Sequence, residues 1–303
     1  DGFLLSVLKN LDKKNFKIIG FNLNKSNNNS DHLKNYFNEW YHVNKFTDID
    51  LINFIKKKQI NILIDLVGHG PGNKLSIFKN RVAPIQICWL GYVNTTGLNE
   101  MDYLITDPYL IRDNEHILYS EKIIPLPKIW NSHEKLDEKL EIKIPCETNN
   151  FITFGSFNNF RKISSNVINV WSEILLESDS KLVLKSSMNN SKELRDRLLS
   201  KFPISLLKDN KIILIEGQRD KKDHLNMYHK IDIGLDTFPY NGVTTTFEAL
   251  WMGVPVITMK GYNFNSRCGE SIIKNANLGN FIAANDEEYF EKAIYYASNI
   301  DEL

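Results

Sequence analysis

Residues 231–258 read IDIGLDTFPYNGVTTTFEALWMGVPVIT, and this stretch decides the fold. Ile231–Asp236 is an apolar run of strand character, closed by a turn built from Pro239, Asn241 and Gly242. Thr244, Thr245 and Thr246 follow, a helical pattern covers Thr245–Trp251, and Pro255–Met259 is a second apolar run. Strand, turn, helix and strand in this order belong to an α/β fold with mainly parallel sheets. The same turn is where chemistry is expected. Free backbone N–H groups at a helix start, with hydroxyls beside them, form an anion site suited to a diphosphate. Glu248 lies one turn further in, on the side where it can accept hydrogen bonds from a ribose diol. The alternative is a helix capped by threonine with no ligand, but a cap needs one such residue and here there are three.

The alternation extends along the whole chain. Strands are expected at Phe16–Leu23, Asn61–Val67, Pro84–Leu90, Tyr103–Thr106 and Lys122–Leu126 in the first half. In the second half they are expected at Phe151–Phe157, Lys181–Lys185 and Lys211–Glu216, besides the two quoted above. Helical patterns cover Asp48–Lys57, Ser164–Leu176, Lys192–Ser200, Lys222–His229, Ser266–Lys274 and Glu287–Ser298. Asn24–Ser30 reads as a solvated loop. Pro127 to Asn150, lysine- and glutamate-rich with little periodicity, reads as a link between two domains, 1–126 and 151–303. Two such halves suggest a cleft between them as the ligand site.

Composition narrows the function. The chain has 303 residues, 42% hydrophobic and 24% charged, which is globular rather than disordered. Lys plus Arg equals Asp plus Glu at 37 each, so the basic excess of a nucleic-acid binder is missing. Mean hydropathy is −0.31 and no apolar run approaches the ~20 residues of a membrane span. Cys88, Cys146 and Cys268 are too scattered for a disulfide framework or a zinc cluster. These bounds describe a soluble, cytoplasmic protein without nucleic-acid or membrane partners. The chain opens on Asp1 and runs at once into the helical pattern Phe3-Leu4-Val7-Leu8-Leu11, so it reads as a fragment whose start lies upstream.

A second signal is FGSFNNFRKI, residues 154–163, at the first strand-to-helix turn of the second half. Lys162 there faces the same carboxyl-end crevice as the threonine turn, where an ammonium would stabilise a departing diphosphate. Phe154–Ile163, His224 and Leu235–Thr258, with Asp65–Gly70 and Ala83–Asp107 in the first half, resemble the catalytic region of the protein O-GlcNAc transferase family, especially its SPINDLY-type and bacterial members. The resemblance implies a GT-B architecture of two Rossmann-like domains facing a cleft. The first would form the acceptor and sugar side, with its first strand missing, and the second would hold the nucleotide sugar. It also implies inverting, metal-independent transfer of a sugar to Ser or Thr hydroxyls of proteins, most readily N-acetylglucosamine from UDP-GlcNAc, with no cofactor.

Carried over by residue, the resemblance assigns Lys162 to the donor diphosphate and Asn159 to a polar donor contact. His224 would line the nucleotide pocket, Thr244 and Thr245 would bind phosphate, and Glu248 would take the ribose. Asn241, Gly242 and Thr246 complete the diphosphate turn. Leu90 and Gly91, in Trp89–Gly97, would approach the donor sugar. This sequence departs from the family pattern at Val243, where animal members carry histidine, at Val93-Asn94, in place of Pro-Gly, and at Arg161, in place of tyrosine. The family's upstream tetratricopeptide repeats, which present acceptor proteins, its histidine-bearing loop and its last helix would all lie outside this chain.

The remaining candidates are weaker. His69, in Asp65–Gly72, ends an apolar strand and is the candidate for moving the acceptor proton. His32, His116, His133 and His229 read as surface or structural residues. Asp48-Ile-Asp50 has the spacing of a metal-binding DxD, but it starts an amphipathic helix, where aspartate is favoured by the dipole. Trp171 and Trp251 read as core residues. GDP-fucose and UDP-glucose stay open as donors. A nucleotide-sugar epimerase and a non-catalytic nucleotide-binding scaffold are the rival functions.

Overall fold

The computed structural model describes residues 2–24, 31–92, 94–134, 142–186, 191–218 and 220–302. The chain divides into two compact units, Asp1–Leu136 and Asp137–Leu303. The first contains α1 (Gly2–Asn10), β1 (Ile19–Asn22), β2 (Glu39–His42), α2 (Asp48–Lys57), β3 (Ile62–Asp65), α3 (Leu75–Phe78), β4 (Ile85–Cys88), β5 (Tyr103–Thr106) and β6 (Lys122–Pro125). Strands β1 and β2 pair in parallel, and β3 to β6 form a parallel four-stranded sheet in chain order. The sequence reading passed over β2, whose partner is β1. Gly20 of β1 is what admits it, since a Cβ there would lie 2.4 Å from the Trp40 ring.

Helix α2 starts where its sequence says it should. Thr47 is its N-cap and forms a capping box with Asp50, while Leu51 and Ile55 turn one face inward. Asp48 accepts hydrogen bonds from Lys74 Nζ and Ser76 Oγ, both at 2.6 Å. Both carboxylates of the DxD spacing therefore serve the helix start and its neighbours.

The second unit contains α4 (Cys146–Asn149), β7 (Ile152–Ser156), α5 (Ser165–Glu177), β8 (Ser180–Ser186), α6 (Lys192–Leu199), α7 (Ile204–Lys208), β9 (Ile212–Glu216), α8 (Lys221–Asn226), β10 (Ile233–Leu235), α9 (Thr244–Trp251), β11 (Val256–Met259), α10 (Phe264–Asn275), β12 (Ile282–Ala283) and α11 (Asp286–Ser298). Its six parallel strands run in the order β12-β11-β10-β7-β8-β9. Every residue of β7 is buried, as befits a central parallel strand. Chain order reverses between β7 and β10, and ligands of doubly wound sheets bind at the carboxyl ends beside such a reversal.

One expectation needs correction. Trp171 of α5 is fully buried, but Trp251 is 42% exposed. The buried residues of α9 are Thr246 and Ala249, and Trp251 falls on the opposite face at 100° per residue. The boundary between the two units falls inside the stretch 127–150, whose two ends are packed. In the first unit Trp130 is buried, donates its N–H to Asp107 Oδ2 at 3.0 Å and accepts Trp89 Nε1 at 2.8 Å. In the second unit the Cys146 N–H donates to Asp232 Oδ1 at 2.8 Å. Residues 135–141 lie outside the described residues, as do 25–30 of the Asn-rich stretch.

Candidate functional site

A recess opens at the β7/β10 reversal, lined in part by Ser156, Phe157, Asn158, Tyr228, Asp236 and Thr245. Asp236, just past β10, is 1% exposed. Its Oδ1 accepts the backbone N–H of Thr237 at 2.9 Å and of Gly242 at 2.7 Å, and the Asn158 amide at 3.2 Å. Its Oδ2 accepts Thr258 Oγ1 at 2.7 Å. One carboxylate thus ties the β10 turn to the end of β7 and to β11. Burial pushes its pKa up to about 6, against the pull of these donors and of Lys162, so it is ionised at neutral pH.

Above this anchor lies the threonine turn. The N-cap of α9 is Val243, which gives no side-chain cap, so the three threonines do not cap the helix. The Thr246 N–H turns back to Val243 O at 3.1 Å, and the start of α9 lacks the capping oxygen that a threonine N-cap would have supplied. Thr244 is exposed, Thr246 is buried, and Thr245 donates to Asn158 Oδ1 at 3.1 Å. Asn241 turns its side chain inward, donating to Thr237 O at 3.0 Å and accepting the Gly269 N–H at 3.2 Å. What Asn241 offers the site is its carbonyl, which accepts Lys162 Nζ at 2.7 Å.

Lys162 also stands over the Tyr240 ring, 4.1 Å from its centroid. Burial lowers its pKa, while the nearby charge of Asp236 works in the other direction. Asn159 is exposed and caps its own turn, accepting the Arg161 N–H at 3.0 Å. Its neighbour Asn158 is the asparagine that joins the buried network. Ser156, at the end of β7, is 3% exposed and its hydroxyl has no hydrogen-bond partner among the described residues. A buried hydroxyl facing a recess without a partner is left for a ligand or water.

The other rim is a chain of polar side chains. His224 Nε2 lies 2.9 Å from Glu248 Oε2, and the single proton of Tyr228 OH is shared between that oxygen and Thr245 O, each 3.1 Å away. Lys185 of β8 donates to His224 Nδ1. Burial alone would raise the Glu248 carboxyl, but His224, Tyr228 and Lys185 together hold it below its ordinary range. The sequence reading found His224 and Glu248. It missed Asn158, Lys185, Tyr228 and Asp236, although Asp236 stands inside the quoted motif.

In the first unit, Leu90 adopts φ +74°, and a Cβ on Gly91 would lie 2.3 Å from Val67 O. Asp65 accepts the Gly68 N–H at 2.7 Å, and burial raises its pKa. His69 is exposed, with Nε2 at 2.8 Å from Thr95 O. A carbonyl only accepts, so Nε2 carries the proton and Nδ1 is the acceptor of the neutral ring. Among the described residues no group of three or more His, Cys, Asp or Glu is arranged to hold a metal ion, and no helix is long and apolar enough to cross a membrane.

Comparison with known proteins agrees with the sequence pattern. The family model for glycosyl transferase family 41 matches residues 3–150 and 143–303. The chain belongs to glycosyl transferase family 41. Within that family it is 34% identical, over 99% of its length, to a protein of Eustoma exaltatum subsp. russellianum described as a probable UDP-N-acetylglucosamine–peptide N-acetylglucosaminyltransferase SPINDLY. The corresponding SPINDLY of Arabidopsis thaliana is 35% identical over 87% of the chain. This family-41 chain spans about a third of the length of these relatives, 34% and 29% respectively. A mutant O-GlcNAc transferase from Thermobaculum terrenum superposes with a TM-score of 0.90 at 30% identity, covering 99% of this chain and 57% of that one. That likeness, with two parallel α/β units, gives the chain the GT-B class of fold. The galactosyltransferase WaaB shares the fold alone, with a TM-score of 0.50 at 13% identity.

Proposed function

We infer that this family-41 chain transfers a sugar from a nucleoside diphosphate donor to Ser or Thr hydroxyls of proteins. N-acetylglucosamine from UDP-GlcNAc is the donor we assign first, as in the names of the relatives. One observation carries the reading: the start of α9, without a side-chain cap, the Thr245 hydroxyl on Asn158, and Lys162 on the Asn241 carbonyl of the turn that enters this helix all lie beside the strand-order reversal of the second sheet. Glu248 stands one turn along α9, with Oε2 already bonded and Oε1, which has no partner among the described residues, left for a ribose hydroxyl.

The chemistry is a single displacement with inversion at the anomeric carbon. The acceptor oxygen bonds to that carbon as its bond to the diphosphate oxygen breaks, and the hydroxyl proton passes to a base. His69, with Nδ1 as the acceptor of its neutral ring, is the base we propose. Charge building on the leaving diphosphate is met by Lys162 and the α9 N–H groups, which take the part a metal ion plays elsewhere. Acceptor proteins would be presented by tetratricopeptide repeats outside this chain, in the cytoplasm.

The test measures thermal unfolding with saturating UDP and, separately, GDP, followed by product analysis with an acceptor peptide. Ligand at 100 times its Kd adds about 2.7 kcal/mol of stability. A shift with UDP, weakened in Lys162→Ala and accompanied by glycosylated peptide, is the expected result. Lys162→Ala should also lower the rate by about 10²–10³. A shift with GDP alone would move the donor to the fucose class. Isomerised free donor without glycosylated peptide would point to an epimerase. No shift with either nucleotide would overturn the reading.

A further inference from the structure

Lys185 is a buried cation that the reaction scheme above does not use. It lies on β8, 3% exposed, with its ammonium 4.9 Å from the centroid of the Phe157 ring that lines the recess. Burial brings its pKa down to about 8, and the charge of Glu248 pulls the other way. No carboxylate accepts directly from it among the described residues; its partners are His224 Nδ1 and, at 3.5 Å, His224 O. A buried ammonium placed on an imidazole rather than on an anion has a directional consequence. An ammonium donates only, so the nitrogen it meets must be unprotonated. The ring proton is then on Nε2, which donates to Glu248 Oε2 at 2.9 Å. Tyr228 OH reaches the same oxygen at 3.1 Å, sharing its proton with Thr245 O.

We propose that Lys185 is a positioning residue for nucleotide binding: it fixes the His224 ring and tautomer, and through them turns Glu248 Oε1 toward the ribose of the donor. Two side chains, His224 on α8 and Tyr228 after it, reach one carboxylate of α9, and Lys185 of β8 stands behind His224 on its other ring nitrogen. A carboxylate held from one side presents its remaining oxygen in one direction, which is what recognition of a diol requires. A lysine that only filled the core would leave ribose recognition unchanged when replaced. The proposal rests on the nucleotide-binding reading, and its test separates the two.

The variant is Lys185→Met, which keeps the apolar stem and removes the ammonium. Long-range ¹H–¹⁵N spectra of the imidazoles, with His224 assigned by its loss in His224→Gln, give the tautomer without ligand. Wild type should show the Nε2–H form with Nδ1 bonded to the ammonium, and Lys185→Met a shifted Nδ1 signal as that donor is lost. Calorimetric titration with UDP, GDP and their 2′-deoxy forms gives the second readout. The ribonucleotide that binds should lose about tenfold or more in affinity and its 2′-deoxy form much less, so ribose discrimination collapses. In a His224→Gln background, Lys185→Met should add little, because its effect runs through that ring. Lys185→Gln, which keeps a donor, serves if the methionine variant does not fold, and should retain the tautomer. A folded Lys185→Met with the wild-type Nδ1 signal and undiminished ribose discrimination overturns the proposal. Wild type that binds neither nucleotide overturns the nucleotide reading instead, and the Nδ1 signal then still decides whether Lys185 sets the ring.

Discussion

Gly242 donates its backbone N–H to Oδ1 of the buried carboxylate of Asp236, at 2.7 Å. The turn entering α9 is therefore fastened from below by an anion, with its first N–H directed inward, while the N–H groups that follow belong to an uncapped helix start. A negative charge beneath a diphosphate site would weaken it if left alone. Lys162 stands close enough for each charge to shift the other's pKa, and so offsets it. The same small set of groups thus fixes the shape of the turn and balances its charge.

Gly242 has no room for a side chain. A Cβ there would lie 2.5 Å from Thr245 Oγ1, 2.9 Å from Thr246 Oγ1 and 3.1 Å from Asn158 Oδ1. Gly242→Ala should displace all three hydrogen-bonding groups and lower stability by about 1–3 kcal/mol. Thermal unfolding with and without nucleotide checks this. The free protein should lose a few degrees, and the nucleotide-induced shift should vanish. An alanine variant with an unchanged nucleotide shift would show that this turn does not meet the ligand.

Asp236 predicts a pH dependence of definite sign. Its carboxyl is raised to about 6 in the folded chain, against an ordinary value of 3.8. Between about pH 4 and 6 the folded state therefore keeps a proton that the unfolded chain has released, and stability from this group falls as pH rises through that window. The loss amounts to about 3 kcal/mol at most. Denaturant unfolding of wild type and Asp236→Asn at pH 4.5 and 7.5 measures it. Wild type should fare better relative to the variant at the lower pH. A difference that grows with pH would mean that the four donors, rather than burial, control this carboxylate.

Much of this was legible in the sequence, for a physical reason. Buried parallel strands are short apolar runs, and residues 151–157 and 231–236 announce themselves as such. The phosphate-type turn is equally local, since Asn241, Gly242 and the threonines are neighbours in the chain. Asn158, Lys185, Tyr228 and Asp236 escaped notice because their roles arise from pairing between distant segments. Lys185 ends an apolar strand and reads as its last solvated residue until β8 lies beside α8, which carries His224. Asn158 and Asn159 cannot be ranked from sequence, because only the direction of the chain after β7 decides which one turns inward. Trp251 misled because an aromatic residue in a helix suggests burial, whereas α9 turns its small residues to the sheet. The strand β2 has a partner only once Gly20 leaves space for Trp40.

In the first unit, Glu121 is the anchor of the loop that follows β4. It is buried and accepts Thr95 Oγ1 at 2.9 Å, the Thr96 N–H at 2.6 Å and the Thr96 hydroxyl. Thr95 O in turn takes His69 Nε2. Glu121→Gln would direct an amide NH₂ at donors that need an acceptor, costing about 1–3 kcal/mol. Limited proteolysis should show faster cleavage within 94–98, and the His69 imidazole spectrum should change with it. Unchanged cleavage and an unchanged His69 signal would show that the loop holds without this carboxylate.

Two exposed or open glycines of the same loop should respond very differently to alanine. Gly97 has φ +70° and nothing near its missing Cβ, so Gly97→Ala meets only the left-handed backbone penalty of about 1–2 kcal/mol. Gly91 is exposed too, yet a Cβ there would lie 2.3 Å from Val67 O, 2.5 Å from Val67 C and 2.7 Å from Leu66 O. All three are backbone atoms, and no side chain can swing aside to admit the methyl group. The chain after β3 would have to separate from the chain after β4, taking with it the bond from Tyr92 N to Val67 O at 3.0 Å. Gly91→Ala should therefore cost clearly more than Gly97→Ala, about 3 kcal/mol or above. Equilibrium unfolding of the two variants side by side checks the order, and equal losses would show that the β3 and β4 loops part more easily than their backbone contacts imply.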